Sequence, residues 1–570
     1  MPGPQVPQIA IKVNGSDLSV EIMNLLYEAE IETTLDLPSM FVLRFFDDDN
    51  LTLTDGSALK VGSPIQIDLV DVEATTETFV TVMKGEITAM EPEFTEDTQI
   101  LLTVRGYDKG HRLNRGAKTR VFVNSKDSDI VRKIASEAGL SAQIDATTEV
   151  FEHVFQDDQS DFAFVHERAH RIGYEVFVDD GKLYFRKPKG TRGDLTLEWG
   201  QTLRSFRPRM TLAKQVDKVT VKGWDPATKR EIVGSASSST ISPVIGEGKW
   251  GGSAATAAFS ASEHVVVRRP VATQSDATAV AQAILDDINA QFVQADGIAF
   301  GNPNLVAGKK VQVNKVGTRF GGKYVVTSAR HVYAAGVGYD TYFSVEGARP
   351  NQMADLVSER TDMSLWGGVV TALVTNNNDP KKMARVKIKF PWLDGTVESN
   401  WARVAGIGAG NKVGLHWLPE VNDEVLVAFE MGDFNRPYVI GGLWNGTDKQ
   451  PEEAAVKNGK IEIRTLQSRE GHKIRLVDDS AGQMIEIIDC KTNTSIKMDT
   501  TNKKITIDSK GDIDMKAMGN IKIEATGNLD IKGANVSAKA TTALQLEGSS
   551  SGSLKSTGIL EVKGSMVNIN

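Results

Sequence analysis

Two histidines and a glutamate, His166, Glu167 and His170, are the residues in this chain whose types and spacing best fit catalysis. They match H-E-x-x-H, in which two histidines four residues apart share one helix face and bind zinc, while the glutamate acts as a general base. In one class of zinc protease the third ligand would fall at position 176, which is Val176. A more distant glutamate is the alternative third ligand, and the candidates are Glu175 and Glu198.

The same segment also fits an ordinary buried helix. Phe162, Val165, Ala169 and Ile172 recur at helical spacing, so they would form an apolar stripe with both histidines beside it. We expect this packing role, and therefore neither a metal nor another cofactor. A zinc metalloprotease that uses residues 166–170 is the alternative.

Helices and many short strands are predicted to surround this motif. Alternating apolar residues predict strands across residues 9–107, with a hairpin turn at Asn14 and Gly15. Residues 234–262 are rich in Ser, Gly and Ala and predict a long loop. Capping residues and apolar periodicity predict helices at residues 128–138, 161–171 and 276–292.

The C-terminal part of the chain repeats in steps of eight residues from Lys503 onward. Three successive steps begin with a corner glycine, followed by apolar residues two apart on one face and charged residues on the other. The register shifts near Asn535. The corner glycines are Gly511, Gly519 and Gly527.

Two apolar residues per step are too few to fill a single-chain solenoid, because each turn of such a solenoid needs several inward strands. We therefore expect three identical chains to wind around one axis and share a core, which closes a triangular needle without exposed strand edges. The predicted core residues are Ile505, Ile507, Ile513, Met515, Ile521, Ile523, Leu529, Ile531, Leu544 and Leu546.

The composition is that of an ordinary soluble protein, and 570 residues suffice for three or more domains. The net charge of -9 gives no broad basic surface, so we expect no nucleic-acid partner. A single cysteine, Cys490, excludes an internal disulfide framework. Residues 1–7 lack the basic region and apolar core of a secretory signal, and the sequence contains no apolar run long enough to span a membrane.

Five candidate strands between residues 367 and 446 suit a small OB-type barrel. This segment contains, in order, Asn378-Asp-Pro, Ala384-Arg-Val-Lys-Ile-Lys-Phe-Pro-Trp, Glu398-Ser-Asn-Trp-Ala-Arg-Val, Leu418-Pro-Glu-Val-Asn-Asp-Glu-Val-Leu-Val-Ala-Phe-Glu and Arg436-Pro-Tyr-Val-Ile-Gly-Gly-Leu-Trp-Asn-Gly. These motifs resemble the barrel of the valine-glycine repeat (VgrG) spike family, which includes type VI secretion spikes, phage baseplate hubs and extracellular contractile injection particles. The opening segments Ile11-Lys-Val-Asn-Gly-Ser-Asp-Leu and Leu37-Pro-Ser-Met-Phe-Val-Leu-Arg-Phe look most like the last group.

The resemblance and the repeats together imply a mainly β fold with an α+β hub. The hub would contain two tube-like β-barrels with a small inserted α/β region, followed by the OB-type barrel and a trimeric triple-stranded β-helix with eight-residue repeats. The predicted divisions are a hub at 1–350 with its insertion at about 111–190, a linker at 351–366, the barrel at 367–446, a neck at 447–472 and the needle at 473–570.

The resemblance also implies a function. The chain would be a trimeric, non-enzymatic spike at the tip of the inner tube of a contractile injection system, where it adapts a three-fold needle to a six-fold tube and pierces a target envelope to deliver effectors. The implied partners are two further copies, a hexameric inner-tube protein, baseplate proteins, effector cargo and a tip protein of the proline-alanine-alanine-arginine (PAAR) type. The expected docking residues for that tip protein are Met566, Val567, Asn568, Ile569 and Asn570.

Such a spike would be made in the cytoplasm and become part of a particle that is released, membrane-anchored or cytoplasmic. No muramidase-like insertion separates the barrel from the repeats, so we expect no effector domain fused to the chain. A trimeric adhesin fibre that binds surface glycans is another alternative. It would need an aromatic-lined groove, yet no Trp or Tyr follows Trp444.

Overall fold

The computed structural model describes residues 9–35, 37–71, 78–96, 99–188, 194–241, 244–345, 368–391 and 398–569. The chain divides into two compact units, unit 1 at Met1–Lys449 and unit 2 at Gln450–Asn570. The predicted linker at 351–366 and the predicted docking residue Asn570 lie outside the described residues.

Unit 1 opens with alternating strands, each of which buries one face. Strand β3, for example, buries Ala29, Ile31 and Thr33 and turns the residues between them outward, as period-two geometry requires. The elements are β1 (Ile9–Val13), β2 (Ser16–Asp17), α1 (Val20–Met23), β3 (Leu26–Thr34), β4 (Met40–Asp47), β5 (Pro64–Val70), β6 (Phe79–Phe94) and β7 (Ile100–Asp108).

A small α/β region follows, as predicted for residues 111–190. Its helices pack on a three-stranded sheet of order β11-β12-β9, and a separate hairpin pairs β10 with β8. The predicted helix at 161–171 is confirmed, and Ser160 caps its N-terminus by accepting a hydrogen bond from the backbone of Ala163. The elements are β8 (Lys118–Ser125), α2 (Asp127–Glu137), β9 (Ser141–Ile144), β10 (Phe151–Gln159), α3 (Asp161–Arg171), β11 (Glu175–Asp179) and β12 (Lys182–Arg186).

The second half of the hub again alternates strands with helices. The predicted long loop at 234–262 is wrong in part, because a short helix occupies Gly251–Phe259 inside it. That helix has no side-chain cap, so its Gly- and Ala-rich sequence carried no start signal. The elements are β13 (Asp194–Glu198), β14 (Leu203–Met210), β15 (Lys218–Asp225), β16 (Arg230–Ala236), β17 (Val244–Ile245), α4 (Gly251–Phe259), β18 (Glu263–Val266), α5 (Gln274–Ala290), β19 (Val293–Phe300), β20 (Lys310–Asn314), α6 (Gly317–Phe320), β21 (Gly322–Val325), β22 (Ser328–Ala334) and β23 (Gly338–Val345).

One large sheet joins the two halves of the hub. Its strand order is β14-β19-β23-β22-β3-β4-β7-β6-β5-β1-β2. In the run β3-β4-β7-β6, the strands that come first, second, fourth and third along the chain lie side by side. The run β14-β19-β23-β22 has the same order. The hub therefore contains one four-strand pattern twice, and β22 pairs with β3 where the two copies meet.

A closed five-stranded barrel completes unit 1, with the order β24-β25-β26-β28-β27. It matches the predicted OB-type barrel, and its interior is filled by residues such as Val386, Ile388, Val425 and Val427. Its strands are β24 (Val369–Asn376), β25 (Arg385–Lys389), β26 (Ala402–Val404), β27 (Glu424–Phe429) and β28 (Pro437–Gly442).

Unit 2 begins with a short hairpin and a five-stranded antiparallel meander. Residues 473–508 of the predicted needle belong to this meander rather than to β-helix turns, because each of its strands pairs with the next strand of the same chain. The strands are β29 (Val456–Lys457), β30 (Lys460–Ile461), β31 (Ile463–Gln467), β32 (Lys473–Asp479), β33 (Gly482–Asp489), β34 (Thr494–Asp499) and β35 (Lys504–Asp508).

The eight-residue steps follow the meander. In the described residues 509–569 the chain forms no strand pair, yet it bends at regular intervals, at 510–511, 518–519, 526–527, 534–535, 541–542, 549–550, 557–558 and 565–566. The interval is eight residues except for one of seven between 534 and 541. This single short step accounts for the register shift near Asn535. After it, Leu544 lies two residues after a corner, as Ile521 does.

Candidate assembly surface

The H-E-x-x-H residues lie on α3, but their side chains have different surroundings. His166 stacks on Phe162 with ring centroids 6.0 Å apart, and His170 approaches Asp287 at 3.5 Å. Glu167 accepts a hydrogen bond from Gln159 at 3.1 Å, and its burial raises the pKa of its carboxyl. Phe162, together with Val165 and Ala169, is buried, as the packing interpretation expects.

The predicted third ligands serve other contacts. Val176 is buried in the core of the α/β region, Glu175 pairs with Arg186 at 2.6 Å, and Glu198 pairs with Lys315. Across the described residues, no group of three or more His, Cys, Asp or Glu side chains is placed to hold a metal ion.

Glu167 and His170 also line a cleft of about 480 Å³ in unit 1. The charges along this cleft are largely paired with one another, as Lys381 is with Glu152 at 3.0 Å and Arg171 with Asp276. We therefore interpret the cleft as a contact between charged elements of unit 1 and not as the functional surface.

The meander of unit 2 presents an apolar face that no other described segment of unit 2 covers. Antiparallel register places apolar residues directly opposite one another on adjacent strands, where such pairs stabilise a sheet. Their side chains are between 38% and 68% exposed. One row is Leu466, Ile474, Ile487, Ile496 and Ile507, and the other is Leu476, Ile485, Met498 and Ile505.

The opposite face of the same meander is polar. Arg475 lies across from Glu486 and forms an ion pair with it at 2.9 Å, and Lys497 reaches Glu486 from the next strand at 3.6 Å. Glu452 accepts a hydrogen bond from Lys473 at 3.3 Å. Desolvation alone would raise the pKa of the Glu452 carboxyl, but the hydrogen bonds to it outweigh this effect and lower the pKa. An exposed apolar face on a sheet whose other face is charged is typical of an interaction surface.

The eight-residue steps continue this division of faces. Asp514 and Lys516 form an ion pair at 3.8 Å, and residues two apart in an extended chain share a face, so Met515 between them points the other way. All ten predicted core residues are between 55% and 87% exposed within one chain. Two of them, Ile505 and Ile507, also belong to the rows of the meander.

Sequence reasoning missed the apolar residues before Ile505. Their signal was present, since Ile474 and Leu476, Ile485 and Ile487, and Ile496 and Met498 each lie two apart. At the other end, Met566, Val567 and Ile569 are exposed, in the last step that the structure describes.

Two family models match the chain. Residues 4–334, more than half of its length, match the Alg8 N-terminal domain, and residues 370–444 match the type VI secretion system/phage-baseplate injector OB domain. The type VI secretion system spike protein VgrG3 of Vibrio cholerae serotype O1 is 34% identical over 104 residues, which cover 17% of this chain and 10% of the relative. The chain belongs to the Alg8 N-terminal domain family and is a VgrG-type spike protein.

A second curated relative of this VgrG-type spike is the actin cross-linking toxin VgrG1 of Vibrio cholerae serotype O1, which is 33% identical over 104 residues. The aligned part again covers 17% of this chain and 10% of the relative, so the chain spans about a tenth of the length of both curated relatives.

The fold of the VgrG-type spike is similar to a chain of the half-lidded Francisella PdpA-VgrG complex. The TM-score is 0.52 at 10% identity, and the alignment covers 88% of each chain. In the ranges that the structure describes, no helix has the length and apolar character needed to cross a membrane.

Proposed function

We propose that this VgrG-type spike forms a homotrimer at the tip of the inner tube of a contractile injection system, where it pierces a target envelope and delivers effectors. The observation that carries the proposal is the apolar face of unit 2, which runs from the meander into the eight-residue steps and stays uncovered in a single chain. Three copies that share this face would form one stiff needle.

The free energy of such burial is large. Each fully buried Ile, Leu or Met contributes roughly 1.5 to 3 kcal/mol, so the ten predicted core residues of each chain would contribute on the order of tens of kcal/mol on assembly. The ion pairs of the opposite face, such as Asp514 with Lys516, stay in solvent and keep the needle soluble. The eight-residue period then sets the spacing of successive layers.

The repeated four-strand pattern of the hub supports the adaptor role. One chain contributes the pattern twice, so three chains around one axis contribute it six times. A trimer built in this way would offer a six-fold ring of similar elements to a hexameric inner-tube protein and keep three-fold symmetry in the needle.

The proposed partners are the hexameric inner-tube protein, baseplate proteins, effector cargo, a PAAR-type tip protein and the target envelope. Membership in a spike family and the resemblance of the barrel to an injector domain support them. The role is mechanical rather than enzymatic. The spike would be made in the cytoplasm and join a particle that is released, membrane-anchored or cytoplasmic.

The native mass of the purified chain tests the trimer directly. Three copies of the 61.9 kDa chain give about 186 kDa by light scattering. A trimer with a rod-like projection in electron micrographs supports the shared needle. A monomer at micromolar concentration would overturn the proposal, and zinc bound to that monomer would return attention to His166 and His170.

A further inference from the structure

The inserted α/β region and the OB-type barrel meet along strand β10. Successive residues of this strand face different cores, as period-two geometry requires. Val154 is buried in the core of the α/β region, whereas Phe155 is buried in the core of the barrel. The Phe155 ring stacks on that of Phe434, with ring centroids 4.3 Å apart. His153 lies two residues before Phe155 and contacts the barrel as well.

His153 is only 8% exposed, and each of its ring nitrogens faces an oxygen atom. Nδ1 lies 3.2 Å from Oδ1 of Asn435, and Nε2 lies 3.0 Å from the backbone carbonyl oxygen of Glu398. Other contacts fix the orientation of Asn435, because its Oδ1 accepts from the backbone N–H of Phe155 at 3.0 Å and its Nδ2 donates to Asp433 at 3.1 Å. Both partners of the His153 ring are therefore hydrogen-bond acceptors.

This contact depends on the protonation of His153. A neutral imidazole has one N–H and donates to one of the two acceptors, whereas an imidazolium donates to both. Burial disfavours the charged ring by more than the two hydrogen bonds favour it, so the pKa of His153 is lowered. An exposed histidine takes up a proton near pH 6.5, so the ring binds a proton more readily when the contact is open. Acid therefore favours the open contact, and the closed contact is favoured above about pH 6.5.

The charged groups around His153 come from each element packed against it. Lys387 on β25 opposes a charge on the ring, and Asp433 favours one. The residue opposite His153 on β8 is Val123, which is uncharged. The other nearby charged groups have partners of their own: Glu398 with Lys387, Arg385 with Asp379, Glu152 with Lys381, and Glu167 on α3 with Gln159.

We propose that His153 is a pH-sensitive contact between the α/β region and the barrel, which holds the two together while its imidazole is neutral and loosens when the imidazole takes up a proton. The two parts would then move as one rigid body at neutral pH and separate locally in acid. All of these contacts lie within one chain, so the proposal does not depend on the trimer.

Hydrogen exchange of the full-length protein at pH 7 and pH 5 tests the proposal, with protection factors corrected for the intrinsic effect of pH on exchange. The reporting segments are 152–156, 398–400 and 433–436, and segment 328–334 on β22 reports separately on the hub around His331. The variants are His153→Gln, which cannot take up a proton, and Lys387→Gln, which keeps His153 and removes the charge that opposes its protonation. His264→Gln, at an exposed position, is the matched control.

Protection of the three reporting segments should fall at least about threefold from pH 7 to pH 5 in the native chain and in His264→Gln. The fall should be absent in His153→Gln and smaller in Lys387→Gln. An equal fall in His153→Gln and the native chain, or no fall in the native chain, would overturn the proposal. An unchanged fall in Lys387→Gln would show that the charge on the ring does not open the contact. A monomer by light scattering would overturn the trimer and leave this test intact.

Discussion

Arg385 holds Asp379 in a bidentate ion pair inside the OB-type barrel, with nitrogen–oxygen distances of 2.6 and 3.0 Å. The same carboxylate accepts hydrogen bonds from the backbone N–H groups of Lys381 and Met383. The Arg385 guanidinium and these donors hold the pKa of Asp379 far below its usual range. One buried carboxylate thus fixes the whole turn between β24 and β25.

Asp379→Asn should destabilise the barrel by about 3 to 5 kcal/mol, because it leaves the buried Arg385 charge without its partner. Denaturant unfolding of the full chain, monitored by protease cleavage within the barrel, measures this loss of stability. Asp49→Asn, at an exposed position, should change nothing. Unchanged stability of the barrel in Asp379→Asn would show that the turn does not depend on the ion pair.

His331 should make the hub sensitive to acid. It is fully buried on β22, where its Nδ1 lies 2.6 Å from the hydroxyl of Tyr339, and burial lowers its pKa to about 3. The unfolded chain takes up a proton below about pH 6.5, whereas the folded hub excludes it until about pH 3. The contribution of neutral His331 to the stability of the hub is therefore fully present above about pH 6.5 and is lost as the pH falls from there toward about 3.

Between pH 7 and pH 5 this linkage removes about 2 kcal/mol of hub stability. His331→Gln should lack that part of the pH dependence, and His264→Gln, at an exposed position, should retain it. Denaturant titrations at the two pH values measure the difference. Equal pH dependence in His331→Gln and the native chain would assign the effect to other groups.

Ile521→Asp should abolish the trimer, because three carboxylates would meet on one axis without partners. Asn520→Asp places the same charge on the adjacent, outward residue of the same step and should leave the trimer intact. Light scattering and thermal unfolding compare the two variants. A heat-stable trimer of Ile521→Asp would refute the shared core.

Removal of residues 566–570 should leave the trimer intact and stop capture of a PAAR-type tip protein. The apolar residues Met566, Val567 and Ile569 are exposed and would form the docking surface for that protein. A pull-down with a tagged tip protein compares the shortened chain with the native one. Equal capture by both chains would place the docking surface elsewhere.

The H-E-x-x-H residues should not bind zinc, because His166 packs on Phe162 and His170 faces Asp287. Elemental analysis after incubation with equimolar zinc should give the same low content for the native chain and for His166→Ala. One zinc per native chain that disappears in His166→Ala would contradict the packing role.

Local patterns predicted the elements well. The helix at 161–171 and all five barrel strands follow from caps and alternation that lie within a few residues of one another. The helix at Gly251–Phe259 was missed because its start carries no side-chain cap. The motif at His166 matched a catalytic pattern, but only the positions of Phe162 and Asp287 showed what each histidine contacts.

The sequence by itself determined the eight-residue period, the glycine corners and the face on which each apolar residue of the steps lies, because alternation is a property of the extended backbone. The tertiary structure decided which strands become neighbours. The pairing of β22 with β3 joins segments about 300 residues apart, as the contact of Arg330 with Glu30 shows, and no local period specifies such a partner. The same holds for residues 473–508, where pairing within the chain produced a meander with two apolar rows from a segment whose alternation fitted a β-helix equally well.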